Sequence, residues 1–355
     1  MKKTLIILLF PVMIAGPAVF GQDIRLIDKI PVSQQDGFIE ADDGMAVLPN
    51  GSFIICDTRA GNFKIFDKTG RLIKIFGRRG NGPDEFSYPT LFDYSDNKLL
   101  ISDSEKYRIL VYHVNEDLEI KLGEEFFGSC CDARIFPDHY LFSGSKADPA
   151  GKWYEIYLSY PRQKDFSFLL TLQDLFNISP NAGQPQLAEK ASMGVRSYCD
   201  SHGDQVYAVW EALLSVIRVD TKTNKQYRFG NKTSLYTAPV ASKELIQAKK
   251  ERNLKMHFKV LFKYSMIRKL FVTDRYVGIV YMNYDREIDL LNPIVQLYSL
   301  DGIFIMEKKL DEVTYPHMLM SLYYDKKTNV LSALSLKIDD LAESHYTLLK
   351  YQIIH

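Results

Sequence analysis

The chain is poor in the residues that usually announce chemistry. It has four cysteines in 355 residues, Cys56, Cys130, Cys131 and Cys199, with no CxxC spacing, and its seven histidines form no HExxH or HxH motif. A zinc site therefore has no sequence support. No G-x-S-x-G elbow marks a serine nucleophile. Neither charge sign dominates, with 44 basic and 44 acidic residues, which argues against a general nucleic-acid binder. Long apolar runs are also lacking. The longest, Leu5 to Ala15, is too short for a comfortable membrane span, so no integral membrane segment is expected.

That short run has another meaning. Lys2 and Lys3 precede it, Gly16-Pro17 breaks it, and Val19 and Gly21 are small enough for the −3 and −1 positions of a cleavage site. Residues 1–21 are expected to be a signal peptide, leaving 22–355 as one periplasmic or secreted domain. A lipid anchor would need a cysteine just after the run, and the first is Cys56. Without Lys2 and Lys3 the mature chain carries 42 basic against 44 acidic residues. Export permits disulfides. Cys131 and Cys199 could approach each other, or all four cysteines could be small core residues.

What is present is repetition. A strand-turn-strand unit recurs six times, with turns at Pro49-Asn50-Gly51, Asp96-Asn97, Pro137-Asp138-His139, Gly203-Asp204, Asp274-Arg275 and Lys326-Lys327. Apolar residues make up 46% of the chain and aromatics 13%, enough for a sheet-rich core. Six four-stranded units predict an all-β, six-bladed β-propeller. The blades are expected over 45–76, 91–125, 131–172, 196–229, 267–309 and 318–353. The last unit is one strand short. Ile24–Ile30 has a strand pattern and would supply it, closing the ring through both termini. A helical insertion is expected between blades 4 and 5, capped by Ser242, with Ile246, Leu254, Phe258, Leu261 and Phe262 on one face. Its basic residues would suit an anion or a membrane surface, or simply form a solvated face.

The segment Phe76-Gly-Arg-Arg-Gly-Asn-Gly-Pro-Asp-Glu-Phe86, followed by Tyr88-Pro89, resembles the inter-blade segment of NHL-type propellers, G-x-G-x-G-P-x-E-F-x-x-P. It departs from that form by one extra residue between Gly77 and Gly80. Ile101–Tyr112, with Asp103 and Arg108 at its polar positions, matches the strands that follow in such blades. The mature chain thus resembles secreted bacterial six-bladed propellers, NHL-like and TolB-like in fold. The resemblance implies no catalytic residue. The glycine run opens no helix and lacks a following Lys-Ser/Thr, so it is no P-loop.

Loop lengths point to one face. Arg78–Thr90, Gln173–Val195, Asn231–Met266 and Met282–Pro293 would all lie on the face where the chain enters each blade. The opposite face carries only short turns, which are expected to form little of a pocket. Starts of first strands and ends of second strands should line the rim on the long-loop face. That places Asp42, Asp43, Asp57, Asp103, Asp132, Asp200, Trp210, Glu211 and Asn283 there, with His317 as the one rim histidine. Trp210 is expected to stack on a ligand and Glu211 to supply a charged contact. Tyr88, Trp153, Tyr198, Tyr236 and Tyr284 are further candidate aromatics. The expected function is binding of a protein, peptide or glycan through this face, with no cofactor. The alternative is a metal-assisted hydrolase or lyase, lactonase-like, with Ca²⁺ held by rim carboxylates. For Asp57 and Asp103 a local turn-stabilising role competes with either.

Overall fold

A computed structural model describes residues 23–34, 38–160, 165–171, 174–175, 196–230, 235–237, 242–251, 253, 256, 260, 263–285, 290–310, 312–313, 317–338 and 344–354. The expected signal peptide lies outside the described residues, as do 176–195 and parts of 231–265.

After the N-terminal strand β1 (Asp23–Val32), the first sheet is β2 (Asp42–Val47), β3 (Phe53–Asp57), β4 (Asn62–Phe66) and β5 (Leu72–Phe76). A short parallel pair, β6 (Arg78–Arg79) and β7 (Glu85–Phe86), leads to the second sheet. That sheet is β8 (Pro89–Ser95), β9 (Lys98–Asp103), β10 (Arg108–Val114) and β11 (Ile120–Phe127). The third is β12 (Asp132–Ile135), β13 (Tyr140–Ala147), β14 (Trp153–Tyr160) and β15 (Asp165–Leu170). The fourth is β16 (Ser197–His202), β17 (Gln205–Trp210), β18 (Leu213–Asp220) and β19 (Gln226–Phe229). Helix α1 (Lys243–Lys250) precedes the fifth, β20 (Met266–Val272), β21 (Tyr276–Asp285), β22 (Leu290–Ser299) and β23 (Phe304–Lys309). The sixth is β24 (His317–Asp325), β25 (Val330–Ile338) and β26 (Ser344–Ile354), with β1 paired antiparallel to β26. Each sheet is an antiparallel meander. The first strands of successive sheets pack against one another all the way round, β24 against β2 included. The molecule is an all-β, six-bladed propeller.

The core lies between blades. Leu141, Ile156, Trp210 and Ile217 fill the wedge between blades 3 and 4. Tyr207, Val216, Ile279 and Tyr298 fill the next one. Ile24 of β1 joins the blade 5–6 cluster, while Ile30 and Val32 join the cluster around blade 1. Two expectations about loops and helix are corrected. Met282–Pro293 is mostly strand, because β21 and β22 stay paired out to Asp285 and Leu290. In α1, Ile246 is exposed and Ala248 is buried, while Leu254, Phe258, Leu261 and Phe262 lie outside the described residues. None of the four cysteines is in a disulfide among the described residues.

The glycine-rich linker is structural. Gly77 has φ +78°, and a Cβ there would sit 2.5 Å from the Phe86 ring. Phe86 is buried edge-on to Phe63, centroids 5.1 Å apart. Glu85 accepts the Gly82 N–H at 2.6 Å and the Arg78 Nε–H at 2.7 Å. Lys106 and Arg108 donate to the Glu85 carbonyl at 2.8 and 2.6 Å. The arginine and glycines are therefore spent on joining blade 1 to blade 2.

A latch recurs where second strands end. Asp57 accepts the N–H groups of Glu40 at 2.9 Å and Ala41 at 3.2 Å, just before β2, and pairs with Lys64 at 2.5 Å. Asp103 accepts those of Ser87 and Tyr88 just before β8, with Arg108 3.4 Å away. Burial alone would raise the Asp57 pKa, but Lys64 and the Glu40 and Ala60 N–H groups outweigh it and hold the carboxyl below its ordinary value. A depressed folded pKa contributes stability at neutral pH that is lost as pH falls through it. Asp57→Asn would leave the Lys64 ammonium, nearly fully buried, without its counter-charge. We expect a loss of about 3–5 kcal/mol in urea unfolding at neutral pH, shrinking in acid, with partial recovery in Asp57→Asn/Lys64→Met.

Candidate functional site

The axis of the ring is polar and opens at both ends. Alternation along a strand sends neighbouring side chains to opposite faces, and one extra residue in a ladder breaks that order. Four first strands carry such a shift: between Asp42 and Met45, Leu91 and Asp93, Ile267 and Lys269, and Leu319 and Ser321. The residues inside these shifts, Asp43, Gly44, Phe92, Arg268 and Met320, all line a cavity of about 100 Å³ at the mouth where the chain enters the blades. Bulges thus aim a charged and apolar set at the long-loop end of the axis.

Arg196, Tyr198 and Asp132 join them there. The Arg196 and Arg268 side chains are 45% and 40% exposed, and their nearest carboxylates among the described residues, Asp43 and Glu211, are 3.9 Å away in each case. These contacts are longer than the 2.7–2.9 Å of a charge-assisted hydrogen bond. Asp43 instead accepts the Thr90 hydroxyl at 2.8 Å. Asp42 accepts a hydrogen bond from Ser321, while its other oxygen is buried without a partner among the described residues. Burial pushes the Asp42 carboxyl up to about 6; the Ser321 bond opposes this and the Asp43 charge adds to it.

Deeper in, charged side chains stitch blade to blade. Asp93 of β8 accepts the Ile135 N–H of β12 at 2.9 Å. Asp132 of β12 accepts the Cys199 N–H of β16 at 3.1 Å. Asp200 of β16 accepts the Val272 N–H of β20 at 2.8 Å. Arg134 grips both Asp132 oxygens, at 2.5 and 2.9 Å, and Lys326 contacts Asp200 at 2.5 Å. Burial works to lower the Arg134 pKa, but Asp132, Asp200 and Asp93 outweigh it and raise it. Lys269 borders the cavities at both ends.

The second cavity opens at the short-turn end and is the larger, about 220 Å³. Turn length does not limit it, contrary to expectation. Its floor is made by the first-strand side chains Asp93, Arg134, Asp200 and Lys269, and its walls include Ile135, Phe271, Tyr323 and Tyr324.

Of the residues singled out in the sequence, Asp43, Asp132 and Tyr198 line the long-loop cavity and Asp200 lines the short-turn one. Trp210 is 4% exposed and packs in the blade 3–4 core, so it offers no surface to a ligand; its neighbour in the ladder alternates away from the axis. The Glu211 side chain is buried near Arg268, and its backbone ties the segments entering blades 4 and 5 through Arg196 O and Ile267 N. Asp57 and Asp103 are latches. Asn283 does the same work, accepting the Ser265 hydroxyl at 2.8 Å just before β20. Ends of second strands lie one strand out from the axis, so their polar groups meet incoming backbone. Tyr198 lines the long-loop mouth, Tyr236 is buried and Tyr88 is exposed. The side chains of His317, Trp153 and Tyr284 lie outside the described residues. Sequence reasoning passed over Arg196, Arg268, Lys269, Asp93 and Arg134. The adjacent Arg268-Lys269 pair in an otherwise apolar strand was the one available signal.

Residues 47–164 match the model of the DUF5128 family, described as a 6-bladed beta-propeller. Two solved structures share the overall shape. One is a candidate exported protein from Bacteroides fragilis, 14% identical, covering 94% of this chain and 96% of its own, with a TM-score of 0.59. The chain is a six-bladed β-propeller. The other structure is a member of the DUF4221 family from Bacteroides vulgatus, 10% identical, covering 94% and 99%, with a TM-score of 0.55. At these identities the likeness concerns the fold alone. No curated protein matches the chain.

The raised Asp42 pKa has a stability consequence. The folded state holds a proton that the unfolded state releases, so stability falls as pH rises toward about 6 and stays lower above it. Asp42→Asn should match the parent near pH 4 and exceed it by up to about 3 kcal/mol near pH 7. Denaturant melts across that range measure the difference, and parallel curves for the two proteins would contradict it.

Proposed function

We propose that the protein is an exported binding module that takes an anionic group of a protein, peptide or glycan at the long-loop mouth of its axis. One observation carries this: Arg196 and Arg268 stand half-exposed on one rim with no carboxylate nearer than 3.9 Å among the described residues. Guanidinium groups held in this way favour a planar oxyanion such as carboxylate, sulfate or phosphate. Phe92 and Met320 beside them supply apolar contact. The helical insertion between blades 4 and 5, of which α1 is described, would extend the same face. Export rests on the N-terminal sequence, residues 1–21.

No cofactor is part of this proposal. Ca²⁺ at the rim fits the described residues poorly. Among them no three His, Cys, Asp or Glu side chains gather around one point, and Arg196, Arg268 and Lys269 would oppose a divalent cation.

The rim is tested with an acidic oligosaccharide, such as a heparin fragment, against a neutral dextran of equal length. The acidic probe should raise the melting temperature and bind with a salt-dependent affinity. Arg196→Gln/Arg268→Gln should weaken it by at least about tenfold, roughly 1.4 kcal/mol, with little change in stability. Equal binding of the neutral probe, or full binding by the double variant, would overturn the assignment.

Ring closure by β1 belongs to the same proposal, because a rigid ring keeps the rim residues in place. It is supported by the register from Asp23 opposite Ile354 to Val32 opposite Tyr346 and by Lys308 of blade 5 reaching Asp23 at 2.7 Å. Deleting 23–32 would bare the edge of β26 and remove buried Ile24, Ile30 and Val32. The truncated protein is expected to self-associate on size-exclusion chromatography and to melt well below the parent. A stable monomer would count against closure.

A further inference from the structure

We propose that Lys269 anchors the carboxylate of a small, apolar-bodied acid in the cavity at the short-turn end of the axis. This site is separate from the long-loop rim and does not depend on the function proposed there.

The other charges around the cavity are engaged. Arg134 is committed to Asp132 through two hydrogen bonds. Asp200 takes Lys326 and the N–H groups of Ser201 and Val272. Asp325 takes the Lys327 N–H and the Thr328 hydroxyl. Asp93 takes the Ile135 N–H. Lys269 differs. It is 9% exposed, and among the described residues no hydrogen bond or ion pair holds its ammonium. A buried, unpaired ammonium costs several kcal/mol, and a charge left in that state while facing a cavity is poised for an incoming counter-charge. The bulge that expels Arg268 to the mouth turns Lys269 toward the axis.

The surroundings select the rest of the ligand. Phe271 and Tyr324 stack at 4.5 Å and, with Ile135 and Tyr323, give the cavity apolar walls. At about 220 Å³ it falls below the ~300–1,000 Å³ typical of drug-sized ligands, so a single ring or short acyl chain fits and a peptide chain does not. Asp93 and Asp200 do not bar an acid. The Asp200 charge is met by Lys326, and burial raises the Asp93 pKa against the opposing charges of Arg134, Lys269 and Lys326. A cationic ligand would face both Lys269 and Arg134. Burial, with the Arg134 charge adding to it, outweighs the attraction of Asp132, Asp93 and Asp200 and lowers the Lys269 pKa to about 8. The amine is therefore still charged at neutral pH and gains from a bound anion.

The test uses the mature protein with benzoate, its neutral isostere benzamide and the cation benzylamine, read by calorimetry and melting temperature. Benzoate should bind and raise the melting temperature, with the other two weaker by at least about tenfold. Lys269→Met should lose benzoate binding by a similar factor while melting at or above the parent temperature, because an unpaired buried charge has been removed. Arg196→Gln/Arg268→Gln should retain it, which separates this site from the rim. In the unmodified protein, benzoate should slow reductive methylation of Lys269, followed by mass spectrometry, so the outcome does not rest on a variant folding. Preference for benzylamine, no binding of benzoate, undiminished binding by Lys269→Met, or no protection of Lys269 would each overturn the proposal.

Discussion

The innermost strands of a propeller cannot hydrogen-bond to one another as a sheet, because each already gives its ladder to its own blade. Here side chains make the missing connection. Asp93, Asp132 and Asp200 each accept a backbone N–H from the first strand of the next blade. Ser321 does the same across the join between the last blade and the first, accepting the Gly44 N–H at 3.2 Å. A hydrogen bond to a charged group is worth about 1.5–3 kcal/mol, and these act at the radius where blades are closest. The interblade wedges of apolar side chains supply more total burial, but they do not set the angular position of one strand against the next. The carboxylate staples do.

That solution creates a second problem. Three carboxylates are brought toward one axis, and an isolated buried carboxylate costs several kcal/mol. Cations are therefore required close by. Arg134 meets Asp132, Lys326 meets Asp200, and Lys269 stands nearby without direct contact. Six ionisable groups then balance, three against three, yet the pairing is uneven. One cation is left over at a point bordering open space, while Asp93 is left with a backbone N–H alone. The imbalance follows from geometry. The bulge at Arg268 advances Lys269 along the strand, so it faces the cavities near Asp93 and Asp200 without a direct ion pair among the described residues.

Much of the architecture was legible because turns and alternation are local properties. Pro49-Asn50-Gly51, Asp96-Asn97 and Gly203-Asp204 each reverse the chain for reasons contained within a few residues. The Gly77–Phe86 linker was legible too, since its glycines answer to steric limits that a sequence displays. The site was not legible, for a different reason. Asp57, Asp103 and Asn283 look like rim residues by count along the chain, yet second strands end one strand away from the axis, where Asp57 and Asp103 meet incoming backbone and Asn283 meets the Ser265 hydroxyl. Trp210 stands beside Glu211 at the end of a second strand, and it packs into the wedge between blades 3 and 4. Bulges defeat periodicity: a single extra residue at Phe92, Arg268 or Met320 changes which neighbours face the axis, and in the sequence only the adjacent Arg268-Lys269 pair hints at it.

The two ends of the axis consequently differ in kind. At the long-loop mouth, bulged side chains spread outward and leave two guanidinium groups half in water, where a charge on a large partner can reach them. At the short-turn end the strands run regularly to their turns, and the space between Phe271, Tyr323 and Tyr324 is walled by rings. Exposed cations lose most of their Coulomb energy to water and ions, so they confer reach and selectivity more than affinity. An enclosed ammonium keeps that energy, and a smaller partner suffices to realise it. The same six strands thus present a shallow site suited to a macromolecule and a deep one suited to a small acid. Lys269 stands where the two come closest.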